Sequence, residues 1–174
     1  FKNIKNKINN TYLYHSFNWI EVGKNIGGSQ NVSKTKNIII EWSKKKYSLF
    51  SFVWSFNLTS QRLINLIYNY DFYSQNLNQS EKKLLNKMIK VHKAILSLEY
   101  KFFNIHDADF TGLKAILLLN LIKKNNTRKI EKSIIKNIHK YFNNNGSHKS
   151  YNTTIQLFAL KNLIEIKNML LFYK

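Results

Sequence analysis

Residues 76–110, NLNQSEKKLLNKMIKVHKAILSLEYKFFNIHDADF, carry the clearest periodic signal in the chain and decide how the rest is read. Leu84, Met88, Val91, Ile95, Leu98 and Phe102 recur at steps of four and three, which places them on one face of a helix. Lys83, Lys87 and Lys90 fall on another face. Asn78 followed three residues on by Glu81 has the spacing of a capping box and predicts where the helix starts. Beyond it, Phe102, Phe103 and Ile105 lead into His106-Asp107-Ala108-Asp109, and a second apolar run follows from Leu113 to Ile122. The expected order is a short strand, a polar loop and a helix, which is half of a β-α unit.

Upstream, YSLFSFVWSF at 47–56 alternates Phe50, Phe52, Trp54 and Phe56 with Leu49, Ser51, Val53 and Ser55, the period of a strand. Its aromatic face is expected to pack beneath a helix, with a base-stacking platform as the functional alternative. Ile38 to Ile40 predict another short buried strand, and Thr59 or Ser60 caps a helix containing Leu63, Ile64, Leu66 and Ile67. Gly23, Gly27 and Gly28 mark a loop through about Lys36. Gly23 and Gly28 have the spacing of a phosphate-binding loop, but Ser29 stands where that loop needs its lysine, so a plain glycine turn is the reading. FKNIKNKINN, residues 1–10, reads as a flexible basic arm.

Downstream, Asp107 or Asp109 caps an apolar helix from Phe110 to Lys124, broken by Asn125-Asn126-Thr127. Residues 128–142 fit either a basic amphipathic helix on Ile130, Ile134, Ile138 and Tyr141 or a strand through SIIKNI. A loop at 143–150 precedes a second capping box, Thr153 with Gln156, and a helix to about Phe172. The fold expected from these elements is α/β with a central, mostly parallel sheet and one long amphipathic helix. Residues 1–36 form the arm and glycine-containing loop, and 37–174 one α/β domain. A mostly α-helical fold is the alternative.

The formal charge is +19, from 28 basic against 9 acidic residues, far beyond what solubility requires. A polyanionic partner relieves such self-repulsion. Arg62 and Arg128 are the only arginines, and lysines suit phosphate contact as point charges better than bidentate reading of bases. The candidate contacts are Lys44, Lys45 and Lys46, the Lys83, Lys87 and Lys90 face, and Arg128, Lys129, Lys132 and Lys136. Asn, Lys, Ile, Phe and Tyr make up 94 of 174 residues, the signature of an extremely AT-rich genome such as an organelle's. Some of the lysine excess follows from that bias. With no cysteine, disulfides and thiolate metal sites are excluded, and no run reaches the ~18 apolar residues of a membrane span. His106, Asp107 and Asp109 are the one tight group of potential metal ligands, but nothing nearby completes a coordination shell, so a strand end and helix cap is the expected role. No cofactor and no small-molecule substrate are expected.

Three stretches carry a resemblance: YSLFSFVWSF before a helix, FFNIHDADFTGLKAILLLNLIKK, and YNTTIQLFAL. Together they resemble the strand and helix motifs of the bacterial-type second protein of the small ribosomal subunit, over about two thirds of the chain. The resemblance implies a Rossmann-like three-layer domain that binds ribosomal RNA and neighbouring ribosomal proteins and catalyses nothing. With the AT-rich composition, it implies a mitochondrial, organelle-encoded small-subunit constituent. An accessory subunit of a mitochondrial membrane complex is the alternative function, without a transmembrane segment of its own.

Overall fold

The computed structural model describes residues 12–102 and 109–173, and they are built from helices. Among the described residues the only β-type pairing is an isolated antiparallel bridge between Phe142 and His148. The parallel sheet expected from the sequence is therefore not formed, and the helical alternative is the architecture. Of the predicted strand, Phe102 is helical and 103–105 lie outside the described residues, as do His106, Asp107 and the predicted arm at 1–10. The chain divides into two compact units, Phe1–Leu96 and Ser97–Lys174.

The first unit begins with α1 (Tyr12–Ser16), α2 (Trp19–Ile26) and α3 (Ser29–Lys44). The glycine loop expected through Lys36 shrinks to Gly27 and Gly28, at φ 71° and 81°, a left-handed pair that only glycine adopts without strain. Gly27 N–H closes α2 by donating to Gly23 O at 3.1 Å, and α3 starts at once. Ile38 to Ile40, read as a strand, lie inside α3. The helix cost of three β-branched residues is a few tenths of a kcal/mol each, whereas burying Ile39 and Ile40 contributes ~1.5–3 kcal/mol apiece. Burial wins.

The stretch 47–56 is likewise not a strand. Its backbone closes local turns instead: Ser51 N–H donates to Ser48 O, Trp54 N–H to Ser51 O and Thr59 N–H to Ser55 O, and Ser48 Oγ accepts from Phe50 N–H at 3.3 Å. The result is a turn, a single 3-10 segment at Phe52–Trp54, and α4 (Phe56–Tyr68), which starts ahead of the predicted caps Thr59 and Ser60. A lone extended segment would leave its backbone groups without partners. The short α5 (Tyr70–Tyr73) follows, with Tyr73 Oη donating to Leu66 O at 2.8 Å. The core of this unit gathers around Trp42 with Phe17, Ile20, Leu66, Tyr73 and Met88.

α6 (Gln79–Phe102) starts where the capping box places it. Glu81 N–H donates to Asn78 Oδ1 and Asn78 N–H to Glu81 Oε2, each at 2.9 Å. The backbone donor of Asn78, then the Lys36 ammonium, hold the Glu81 carboxyl below its usual range. The buried row is Leu85, Met88, His92 and Leu96, shifted from the expected one: Leu84, Val91 and Ile95 are half-buried and Leu98 is exposed.

In the second unit α7 (Thr111–Ile122) is buried on nearly every side and packs against both α8 (Arg128–Tyr141) and α9 (Thr153–Tyr173). Residues 128–141 resolve as helix because Ile130 and Ile134 turn to one buried face. The opening cap of α9 is Asn152, whose Oδ1 accepts from Thr154 and Ile155 N–H; the expected partner Gln156 instead accepts from His148 N–H.

Candidate nucleic-acid interface

Every candidate residue read from the sequence is solvent-exposed. They form three groups. On α8, the amphipathic pattern turns Ile130 and Ile134 inward and leaves Arg128, Lys132, Lys136 and Lys140 on the outside at steps of four. Each step rises ~6 Å, so the row runs ~18 Å along the helix. Lys129 and His139 are exposed beside it. Three like-charge pairs at i,i+4 each cost the helix ~0.2–0.5 kcal/mol. His139 and Lys140 at the C-terminal end suit the helix dipole, but Arg128 and Lys129 in the first turn oppose it. Glu131, which accepts from Thr127 Oγ1 at 2.6 Å, and Asn126, whose Oδ1 accepts from Arg128 N–H at 2.9 Å, favour that end. Helix stability does not explain this row.

Lys149 adds to the group and was not expected from the sequence. The turn at 143–147, with Gly146 at φ 82°, brings the chain back along α8. Lys149 N–H then donates to Tyr141 O at 2.7 Å and its Nζ to His139 O at 3.0 Å. No local pattern points to that return; it depends on the turn.

The other two groups lie in the first unit. Lys83, Lys87 and Lys90 share one exposed face of α6. Lys44 ends α3 and Lys46 follows in the open, but Lys45 Nζ donates to Tyr14 Oη at 3.1 Å and lies 5.0 Å from that ring's centre. Lys45 is thus partly a packing residue. The run leads to Leu49 and the fully exposed Phe50, whereas Val53 is buried and Trp54 half-buried, so the four aromatics do not form one platform.

The most unusual chemistry sits inside the first unit. Arg62, on α4, is fully buried. Its Nε donates to His92 Nε2 (2.6 Å), Nη1 to His15 O (2.8 Å) and Nη2 to Val53 O (3.0 Å). Its guanidinium lies 4.3 Å from the Trp42 ring centre and 5.1 Å from that of Trp54. Trp42 Nε1 donates in turn to His15 Nδ1 at 3.1 Å. Burial lowers Arg62 to about 9, so it remains a cation at neutral pH. The aromatic faces and three acceptors stand in for a counter-ion. All three nitrogens of Arg62 are committed to the chain's own acceptors, so this centre joins α1, the 3-10 segment, α4 and α6 rather than offering a site.

Sequence reading missed this pair, though a signal exists. Leu58, Arg62 and Leu66, and Met88, His92 and Leu96, are rows at i,i+4 in which one polar residue interrupts an apolar stripe.

The N-cap of α7 is Phe110, at φ 61° and without a side-chain cap, rather than Asp109, whose Oδ1 accepts from Thr111 N–H at 3.0 Å in a turn just ahead of the helix and whose carbonyl accepts from Asn162 Nδ2 at 2.7 Å. Among the described residues no group of three or more His, Asp or Glu side chains could hold a metal ion. No described helix is long and apolar enough to cross a membrane. No family model, curated protein or solved structure matches the chain.

Proposed function

We propose that the protein binds a polyanionic backbone, RNA phosphates foremost, as a structural constituent of a ribonucleoprotein. The small subunit of a mitochondrial ribosome is the assembly that the sequence resemblance implies. The observation that carries the reading is the Arg128, Lys132, Lys136 and Lys140 row on α8, maintained against its own repulsion and against the dipole at its first turn. Counterion release on phosphate binding offsets that cost. The resemblance weighs less than this row, because the described residues form no sheet of the kind that the resemblance implies.

The test is the affinity of the full chain for single-stranded RNA as a function of salt. Changing Lys132 and Lys136 together to glutamine is expected to weaken binding and to reduce the log–log salt slope by ~1.4, at ~0.7 for each phosphate no longer neutralised. Helix content should not change. Point charges of this kind also serve acidic polysaccharides, so a sulfated polysaccharide belongs in the same assay. Binding to it without binding to RNA overturns the RNA assignment.

A second reading has one observation in its favour. The Lys44 to Lys46 run beside exposed Leu49 and Phe50 suits anionic lipid headgroups over an apolar boundary, as an accessory subunit of a mitochondrial membrane complex would need. Salt-resistant flotation with anionic vesicles, abolished by Phe50→Ser, would favour it.

A further inference from the structure

α9 has two apolar stripes. One, through Ala159, Ile166 and Met169, is buried. On the other side of the helix Leu157, Leu160, Ile164 and Leu171 are 67%, 41%, 59% and 69% exposed. Leu157, Ile164 and Leu171 are spaced by sevens, and Leu160 stands three after the first. Those are the a and d positions of a heptad seam, with Lys167 at the next d. Lys161 borders the opposite edge, and both lysines are exposed.

We propose that this seam docks an acidic amphipathic helix. The a/d spacing is that of a seam for one helix, and exposed Phe158, Phe172 and Tyr173 lie outside it on the same helix. The opposite side of α9 is already buried against α7. The occupant's chemistry follows from charge. Lys161 flanks the seam and Lys167 stands in it at d, so a partner carrying Leu or Ile at its own seam and Glu or Asp on the flanks and opposite Lys167 completes both terms. A second copy of this chain would bring lysine against lysine within a molecule of net charge +19, which excludes it as the preferred occupant. This surface stands independently of the RNA reading.

The experiment uses the full chain and a labelled synthetic peptide of about four heptads, with Leu at a and d and Glu at e and g. Fluorescence anisotropy compares it with a peptide of the same seam carrying Lys at e and g, and with a variant of the chain in which Leu157, Ile164 and Leu171 are glutamine. These exposed positions accept glutamine, a good helix former, and circular dichroism checks that helix content is kept. The expected result is ~10-fold or weaker binding of the Glu peptide to the variant, and of the Lys peptide to the native chain. Because the variant keeps every charge, equal binding of the Glu peptide to it would show mere attraction to the basic surface and would overturn the proposal. Equal affinity for the two peptides would do the same. Self-association of the native chain in sedimentation that the variant abolishes would assign the seam to a second copy and overturn the acidic partner.

Discussion

Arg62 Nε donates to His92 Nε2 across 2.6 Å, between two side chains that are both shut off from solvent. His92 Nδ1 lies 2.7 Å from Met88 O, which makes Nδ1 the donor and Nε2 the acceptor. Only a neutral imidazole serves both partners.

Acid should therefore act on the first unit through His92. Burial first, and the Arg62 cation second, push its pKa down to about 3, against ~6.5 for an unfolded histidine. Between those values the unfolded chain binds the extra proton, so stability is lost as pH falls through that window. The loss is ~1.4 kcal/mol per pH unit. Urea unfolding at a series of pH values should show it, and His92→Gln should flatten the slope. An undiminished slope in that variant would place the titration elsewhere.

Arg62 itself should resist conservative replacement. Arg62→Lys keeps the charge, but one ammonium cannot reach His92 Nε2, His15 O and Val53 O together. Arg62→Met leaves all three acceptors without that donor. Each change is expected to cost ~2–4 kcal/mol and to weaken the near-UV dichroism of Trp42 and Trp54. A lysine variant as stable as the native chain would refute the fork as the source of stability.

In the second unit, buried Lys114 on α7 donates to Asn162 Oδ1 at 2.6 Å and pairs with Glu165 at 2.8 Å, while Asn162 Nδ2 reaches Asp109 O and Thr111 Oγ1. Asn162→Leu alone strands several of these groups and should cost ~2–3 kcal/mol. Combining it with Lys114→Met removes donor and acceptor together. The double variant should be less destabilised than the sum of the singles, with a coupling of ~0.5–3 kcal/mol in thermal unfolding. Additive losses would show that the two side chains act separately.

The three lysines at 44–46 should separate by role. Lys44→Glu with Lys46→Glu is expected to weaken RNA binding at unchanged melting temperature, because neither is committed to Tyr14 as Lys45 is. Lys45→Glu should also lower the melting temperature, by breaking that hydrogen bond. RNA binding unchanged in the double variant would remove this run from the interface.

Gly27, at φ 71° with open space around its α-carbon, isolates a backbone effect. Gly27→Ala meets nothing, so the expected loss of ~1–3 kcal/mol is the positive-φ backbone with ψ −167° alone, a region essentially confined to glycine. Differential scanning calorimetry would measure it, and a neutral result would mean that the turn relaxes.

The start of α6, the extent of α7 and the span of α9 follow from sequence alone, because caps and 3.6-residue periodicity act within a few residues of chain. The cationic side of α8 is legible in the same way once that segment is helical. Ile38 to Ile40 and the stretch 47–56 were not legible, since a short apolar run or a brief alternation becomes a strand only when another strand supplies its hydrogen bonds. None does among the described residues. Whether Arg62 and His92 face water or each other depended on packing between positions 30 residues apart along the chain. The interrupted apolar rows at Leu58, Arg62, Leu66 and at Met88, His92, Leu96 mark the two positions locally, but which groups answer the arginine is not local; close packing of distant segments, which removes water and leaves only fixed acceptors, decides it.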